Sequence, residues 1–332
     1  MDRLRRLRQN KLTRELVRKV DLKSSSFIQP LFVVEGLRDR ETIPGLPGVF
    51  RETPETLLHQ VEADIERGVH KFLLFGVPQE KNESPTNFDF AQNQIQKLKQ
   101  TFRDKVLLFT DVCLCSYTSH GHCGVIERTP NSYTEEHLHN DKTLELLSKA
   151  AVEYAQAGSD GVAPSDMMDG RIADIRGSLD KAGFENTLIM SYAAKFHSRF
   201  YGPFRNAADS TPKSHGLKDR STYQIDPTNP QDAWLSASRD ANEGADILMV
   251  KPGLPYLDIL SKLSQRIEKP WAVYEVSGEY AAIELLAREK LISAPHAHSE
   301  VWTSFIRAGA STVISYGARF AKDWIRIWED SQ

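Results

Sequence analysis

The chain has 332 residues, of which 40% are hydrophobic and 26% are charged, and its formal net charge at pH 7 is -3. This apolar content is enough for one large core or two modest ones. The small negative charge argues against a protein that coats nucleic acid, and no apolar run is long enough to predict a membrane span. Because no apolar run follows the basic N-terminus, we expect a cytoplasmic protein rather than a secreted one.

The first two dozen residues form a basic segment in which arginine and lysine recur from Arg3 to Lys23. This segment has no interleaved aromatic residues that would stack on bases, so we do not expect it to bind nucleic acid. We interpret residues 1–24 as an arm that contacts a neighbouring subunit. Residues 25–332 are then the catalytic domain.

After the arm, short apolar runs rich in β-branched residues alternate with longer amphipathic stretches. This alternation predicts strands that are each followed by a helix. The predicted strands span residues 28–34, 72–77, 106–112, 161–163, 187–191, 247–250, 272–276 and 312–315. The predicted helices include residues 55–67, 144–157, 232–242, 257–266, 280–290 and 299–308.

Eight strand–helix units in a chain of this length favour one closed (β/α)8, or TIM, barrel of the α/β class. A doubly wound open sheet is the alternative, but no glycine-rich phosphate loop follows the first strand. Long connections follow the third and fifth strands, at about 113–140 and 196–232. Barrel enzymes place their chemistry at the carboxyl ends of the strands, so both connections are candidates for the site.

Two lysines stand at the ends of apolar strands, Lys195 after the fifth strand and Lys251 after the sixth. One such lysine alone is usually a side chain that reaches from the strand end to water. Two in one barrel favour a pair of reactive amines, because burial and a neighbouring cation both stabilise the neutral form. A neutral amine attacks a ketone to form a Schiff base.

The chain contains three cysteines, and all lie within eleven residues: Cys113, Cys115 and Cys123. An odd number so closely spaced does not predict disulfides, whereas three thiolates favour Zn²⁺. A fourth position left open for water or substrate would make the zinc site catalytic, while His120 or His122 as the fourth ligand would make it structural. The spacing leaves both open, with free buried thiols as a third possibility.

Polar groups that suit a carboxylate substrate lie at two places on the same predicted face. Arg205 and Arg220 lie in the connection after the fifth strand, where guanidinium groups can bind a carboxylate bidentately. Ser277 and Tyr316 follow the seventh and eighth strands, where their hydroxyls can hold a second carboxylate. Together with the two amines and the thiolates, these groups fit an enzyme that joins two keto acids.

Long motifs of the chain resemble those of the porphobilinogen synthase (5-aminolevulinate dehydratase) family, over almost the full length. They include IQPLFVVEG at 28–36, the segments 111–124 and 192–205, APSDMMDGR at 163–171, MVKP at 249–252 and VSGE at 276–279. The resemblance implies a barrel with an N-terminal arm, assembled as a homo-octamer. Its implied reaction condenses two molecules of 5-aminolevulinate to porphobilinogen, early in haem and tetrapyrrole synthesis.

The resemblance also separates the roles of the two lysines. It implies that Lys251 forms a Schiff base with the substrate that supplies the propionate side, whose carboxylate is held by Ser277 and Tyr316. It implies that Lys195 engages the second substrate, on the acetate side.

For that second substrate, the resemblance makes Arg205 and Arg220 the carboxylate-binding arginines of a lid. It further implies a zinc site whose open position activates the second substrate. The implied zinc ligands are Cys113, Cys115 and Cys123.

Two positions depart from the family pattern. Ser116 stands where proline is usual after the second cysteine, and we expect it to alter the stiffness of the loop more than its chemistry. Ser236 stands fifteen residues before Lys251, where some bacterial members carry a glutamate that serves an activating Mg²⁺. We therefore predict no such magnesium site.

Two rival interpretations remain at this point. A class I aldolase-like barrel would have one Schiff-base lysine and no catalytic metal, and the cysteine cluster argues against it. A non-catalytic protein stabilised by zinc would require both strand-end lysines to be incidental.

Overall fold

The computed structural model describes residues 2–128, 136–214 and 216–332. Its strands are β1 (Phe27–Val34), β2 (Glu41–Ile43), β3 (Leu46–Glu52), β4 (Lys71–Val77), β5 (Leu107–Val112), β6 (Ile126–Arg128), β7 (Glu136–Leu138), β8 (Gly161–Pro164), β9 (Leu188–Lys195), β10 (Ile247–Lys251), β11 (Trp271–Tyr274) and β12 (Thr312–Ile314).

The helices are α1 (Lys11–Glu15), α2 (Pro54–Glu66), α3 (Asp89–Phe102), α4 (Asn140–Gln156), α5 (Arg171–Lys181), α6 (Gly202–Ala207), α7 (Pro230–Asn242), α8 (Leu257–Ser264), α9 (Ser277–Arg288), α10 (Ala294–Arg307) and α11 (Ala321–Asp330). No helix in the described ranges is long and apolar enough to cross a bilayer.

Eight of the strands form a closed ring in the order β1, β4, β5, β8, β9, β10, β11, β12. The ring closes because β12 pairs with β1 in parallel, with Phe27 opposite Val313 and Ile28 opposite Ile314. This closure confirms the predicted (β/α)8 barrel. It excludes the open doubly wound sheet, whose edge strands would have no such pairing.

The barrel strands read as continuous apolar runs because both of their faces are covered. Inward-facing side chains such as Phe32, Met190 and Met249 fill the ring, while a larger apolar layer packs between the strands and the surrounding helices. At the carboxyl end of the ring, charged side chains replace the apolar ones. The candidate site lies there.

The two predicted long connections contain further structure. The connection after β5 carries the antiparallel hairpin of β6 and β7, and a second hairpin, β2–β3, follows β1. Residues 129–135 of the first connection and residue 215 of the second lie outside the described residues. The N-terminal arm contacts its own barrel, since Lys11 Nζ donates to the carbonyl of Glu329 at 2.9 Å. Its role between subunits, and its boundary at residue 24, stay predictions.

Candidate active site

The two lysines lie side by side at the carboxyl ends of neighbouring parallel strands. Lys195 ends β9 and Lys251 ends β10, and their Cα atoms are register partners. The pairing shifts along these strands: Leu248 lies opposite Ser191, but Val250 lies opposite Ala194. Strand β9 therefore has one residue more than β10 in this stretch. Because side chains alternate between faces, the extra residue turns Lys195 to the face that Lys251 occupies.

Aromatic rings surround the amine of Lys251. Its Nζ lies 4.1 Å from the ring centre of Tyr274, 4.8 Å from that of Phe204 and 4.9 Å from that of Tyr192. Burial, followed by the positive charge of Lys195, holds the pKa of Lys251 well below its ordinary value. The result is a lysine that carries a neutral, nucleophilic amine more readily than an exposed one.

The amine of Lys195 is fixed from the opposite side. Its Nζ donates a hydrogen bond to the carbonyl of Ser165, in the loop after β8. It also lies 5.5 Å from the ring centre of Tyr192, so this ring stands near both lysines. The Tyr192 hydroxyl is buried and has no hydrogen-bond partner among the described residues. It is therefore free to bond to a substrate between the two amines.

The three cysteines meet beside the lysines. Their sulfur atoms all lie within 4.8 Å of one another and are buried. Cys113 and Cys115 follow β5 directly, and Cys123 folds back through a turn in which Gly121 has φ 72. Hydrogen bonds from the other two thiols hold the pKa of Cys123 well below its ordinary value. Three close thiols, one of them acidic, are a donor set that fits a thiolate-preferring metal such as zinc.

The histidines of the same loop have other partners. His122 contacts the Tyr223 hydroxyl through Nδ1 at 3.2 Å and the Leu217 carbonyl through Nε2 at 3.0 Å. His120 Nδ1 accepts the backbone N–H of His122 at 3.1 Å. Within the described ranges, the group that could hold a metal consists of the three cysteines without a histidine. This arrangement favours an open fourth position over a closed structural site.

Asp111, near the carboxyl end of β5, is a charged neighbour of Cys115 and of both lysines. Burial and the neighbouring Cys115 raise its pKa to about 7, while Lys195 opposes the shift. Its Oδ1 is buried without a hydrogen-bond partner in the described structure. Such a carboxyl group can hold or release a proton near neutral pH.

The two arginines lie on the segments that follow Lys195. Arg220 is buried, and its Nη2 donates to the carbonyls of Gly121 and Ser210 at 3.1 and 2.7 Å. Burial opposes its charge, but the thiols of Cys123 and Cys115 raise its pKa above the ordinary value. Arg205, on α6, keeps a buried Nε without a described partner. Burial and the charge of Arg220 lower the pKa of Arg205. Two close guanidinium groups of this kind favour an anionic ligand.

Ser277 and Tyr316, the predicted second carboxylate-binding pair, have different hydrogen-bond partners in the structure. Ser277 begins α9, and its Oγ accepts the Phe204 N–H at 3.0 Å and donates to the Phe200 carbonyl at 3.2 Å. Tyr316 is buried after β12, and its hydroxyl accepts from the Tyr274 hydroxyl at 3.3 Å. Tyr274 also faces Lys251, so Tyr316 belongs to the Lys251 side of the site.

Sequence reasoning missed Gln224. This side chain is only 3% exposed, yet neither its Oε1 nor its Nε2 has a hydrogen-bond partner among the described residues. The N–H of Gln224 bonds to the Arg220 carbonyl, and the next residue, Ile225, donates to the Lys195 carbonyl at 3.1 Å. A buried unpaired amide is costly unless a ligand satisfies it. Nothing in the local sequence distinguishes this glutamine from an exposed one.

Near Ser236, the neighbouring charged side chain is a guanidinium group. Arg239 Nη2 donates to Ser236 Oγ at 3.4 Å, and Arg239 Nη1 pairs with the Asp169 carboxylate. The absence of a magnesium site here stays a prediction, and the positive charge of Arg239 favours it.

The closed barrel, with two paired, buried lysines at the carboxyl ends of its strands, defines a (β/α)8-barrel enzyme. Within that class, the chain belongs to the delta-aminolevulinic acid dehydratase family, whose model matches residues 1–324. This confirms the family predicted from the motifs.

Individual relatives match over nearly the whole chain. The delta-aminolevulinic acid dehydratase of Bacillus subtilis (strain 168) is 42% identical and covers 98% of each chain. That of Synechococcus elongatus is 41% identical and covers 97% of this chain and 98% of its own. A crystal structure of delta-aminolevulinic acid dehydratase (porphobilinogen synthase) from Toxoplasma gondii ME49, in complex with the reaction product porphobilinogen, aligns with a TM-score of 0.92. It is 42% identical and covers 98% of this chain and 91% of that chain.

Proposed function

We propose that this protein is a porphobilinogen synthase, which condenses two molecules of 5-aminolevulinate through Schiff bases on Lys251 and Lys195. The observation that carries the proposal is the register pairing of these two lysines at the carboxyl end of the barrel. An aldolase-like enzyme needs one such amine. Two facing amines suit a reaction that joins two ketone substrates.

Lys251 is the proposed nucleophile for the first substrate. Its lowered pKa leaves more neutral amine, which adds to the substrate ketone and loses water to form an imine. The aromatic rings around Nζ keep water away from this imine. Ser277 and Tyr316 hold the carboxylate of this first substrate. To do so, the Ser277 hydroxyl must give up its hydrogen bond to the Phe204 N–H or to the Phe200 carbonyl.

Lys195 engages the second substrate, whose carboxylate binds Arg205, Arg220 and the unpaired amide of Gln224. The buried guanidinium groups and the amide supply donors that no described residue satisfies at Arg205 Nε and Gln224 Nε2. Asp111, whose pKa is about 7, is placed to accept a proton from carbon or nitrogen as the two substrates join. Positioning by several fixed groups supplies much of the rate enhancement of such a two-substrate step.

Cys113, Cys115 and Cys123 are proposed to hold Zn²⁺. When bound, zinc with an open position supplies Lewis-acid polarisation to a substrate oxygen or nitrogen. The three sulfur atoms within 4.8 Å of one another and the lowered pKa of Cys123 support this choice of metal.

We also propose a cytoplasmic homo-octamer, as the family resemblance implies. The exposed apolar side chains of the arm, Leu4, Leu12 and Leu16, support contacts between subunits.

The function is tested by incubating the protein with 5-aminolevulinate, measuring porphobilinogen, and trapping imines with borohydride for peptide mass spectrometry. We expect product and a substrate-derived mass on Lys251. Lys251→Met keeps the approximate size of the side chain but removes the reactive amine, and is expected to abolish both. Product formation without any label on Lys251 would refute the mechanism, and absence of product from a metal-loaded preparation would refute the function.

A further inference from the structure

The C-terminal part of the segment after Lys195 packs against the cysteine loop. We call residues 199–214 the lid segment; it contains α6 and therefore Arg205. Lys213 N–H donates to the His120 carbonyl at 2.9 Å. At Gly121, an added Cβ would lie 2.4 Å from the carbonyl oxygen of Thr211, so the two backbones touch. Residues 211–213 of the lid segment thus lie directly against the loop that carries the thiols.

Ser116 makes a buried side-chain hydrogen bond between these two segments. Its Oγ donates to the carbonyl of Ala208 at 3.1 Å. Ser116 is 7% exposed and Ala208 is fully buried. Ser116 follows Cys115 directly, and Ala208 is the C-cap of α6, three residues after Arg205. A proline at position 116, which is usual in the family, would have no donor for this bond. The serine therefore adds a hydrogen bond that a proline could not make.

Two other side chains contact this part of the lid segment. Buried Arg220 links it to the cysteine loop, because its Nη2 donates to the carbonyls of Ser210 and Gly121 at 2.7 and 3.1 Å, whereas the contact of Lys81 is more exposed. Lys81 Nζ pairs with the Asp209 carboxylate at 2.6 Å, but the Asp209 side chain is 50% exposed. Water and salt screen such a pair, and exposed pairs contribute little to stability. The Ser116 bond is shielded from water, and breaking it leaves a buried carbonyl without that donor.

We propose that Ser116 is a positioning residue that fastens the lid segment over the second-substrate side of the site. It acts through the C-terminal end of α6, and so fixes the helix from which Arg205 reaches the substrate carboxylate. Opening the lid segment requires the Ser116 bond to break. The role in substrate retention rests on the proposed function; the fastening itself does not.

Amide hydrogen exchange of the full-length, metal-loaded protein tests the fastening. In Ser116→Ala we expect the amides of residues 199–214 to exchange about fivefold faster, the factor for one net buried hydrogen bond of typical strength. Ser116→Thr keeps the hydroxyl and should exchange at the parent rate. The matched control is Thr118→Val. The Thr118 hydroxyl bonds within the cysteine loop, to the His122 carbonyl at 2.8 Å, so its loss should not speed lid exchange.

Release of bound porphobilinogen tests the consequence. In this proposal product leaves through the open lid segment, so its release in a chase experiment should be about fivefold faster in Ser116→Ala, by the same factor, and unchanged in Ser116→Thr. Unaltered lid exchange in Ser116→Ala, or equal acceleration in Thr118→Val, would overturn the fastening. Faster exchange with unaltered release would overturn the retention role. A protein that makes no porphobilinogen would refute the proposed function and leave the exchange result standing.

Discussion

Lys195 lies opposite Lys251 because β9 carries one more residue than β10 between the pairs Ser191–Leu248 and Ala194–Val250. Without that extra residue, the side chain at the end of β9 would point out of the barrel towards the helices. The irregularity therefore gives two adjacent strands an amine on the same inner face.

The first prediction concerns the amine of Lys251. Since burial and Lys195 lower its pKa, its reactivity should level off at a pH well below the ordinary lysine value of 10.5. Reductive methylation over a series of pH values, read by peptide mass spectrometry, measures this. The exposed Lys262, 64% accessible, provides the reference curve in the same sample. Lys251 reactivity that follows the curve of Lys262 would contradict the prediction.

The second prediction concerns the metal. Cys123→Ser removes the clustered thiol whose pKa is lowered, so the protein should lose bound zinc and activity together. Metal content by mass spectrometry and porphobilinogen formation are the two measurements. His120→Gln is the matched control and should keep its zinc, because His120 is outside the cysteine cluster. Full activity in a zinc-free Cys123→Ser protein would rule out a catalytic metal here.

The third prediction separates affinity from stability at Gln224. Gln224→Met keeps the size of the side chain and removes two buried atoms that have no described partner. The free energy of unfolding should stay the same or rise by about 1 kcal/mol, since unpaired buried polar groups are destabilising. The KM for 5-aminolevulinate should rise about tenfold if the amide binds a carboxylate. A large loss of stability would instead mark Gln224 as a structural residue.

The fourth prediction is a pH dependence of stability. His298 is buried between Glu275 and Glu284, at 2.9 and 3.1 Å. Burial opposes its charge, but the two carboxylates raise its pKa to about 9, above the ordinary 6.5. The stabilisation is present in full below pH 6.5 and is lost as pH rises through about 9. It amounts to about 3 kcal/mol.

Urea denaturation between these two pH values measures that loss. His298→Gln should be less stable than the parent at the lower pH, and the difference should shrink towards the higher one. His296→Gln, on the same helix and bonded to the Ser293 hydroxyl, should keep the parent decline. A parent protein whose stability is flat over this interval would contradict the buried ion pair.

The fifth prediction is that added Mg²⁺ does not activate the enzyme. Ser236 cannot replace a glutamate as a ligand donor of negative charge, and Arg239 puts a positive charge beside it. Initial rates with and without millimolar MgCl₂, at ionic strength matched with KCl, test this. Strong activation by Mg²⁺ alone would refute it.

The barrel was predictable because buried parallel strands read as short apolar runs, and each of the eight predicted runs became a strand of the ring. The lysines and cysteines were predicted as site residues because they follow apolar strands directly in the sequence. The predicted set lacked the short helices α1 and α6 and the longer helices α3, α5 and α11. In α3, the many polar residues, such as the glutamines of 92–100, obscure the buried stripe that includes Ile95 and Leu98.

Other parts of the site depend on contacts between distant segments. The extra residue of β9 is invisible because Ala193 and Ala194 suit either face of a strand. The rings around Lys251 come from β9, β11 and the lid segment, and the isolation of Gln224 depends on what surrounds it. Local patterns carry no information on such tertiary neighbours.

The pairing of β12 with β1 also has a consequence for biosynthesis. The ring joins the first barrel strand to one that begins at Thr312, so the ribosome must release the chain through residue 314 before the ring can close. Until then the nascent barrel exposes two unpaired strand edges, which are templates for aggregation. A stop codon anywhere before position 312 would therefore give an open, aggregation-prone sheet instead of a smaller enzyme.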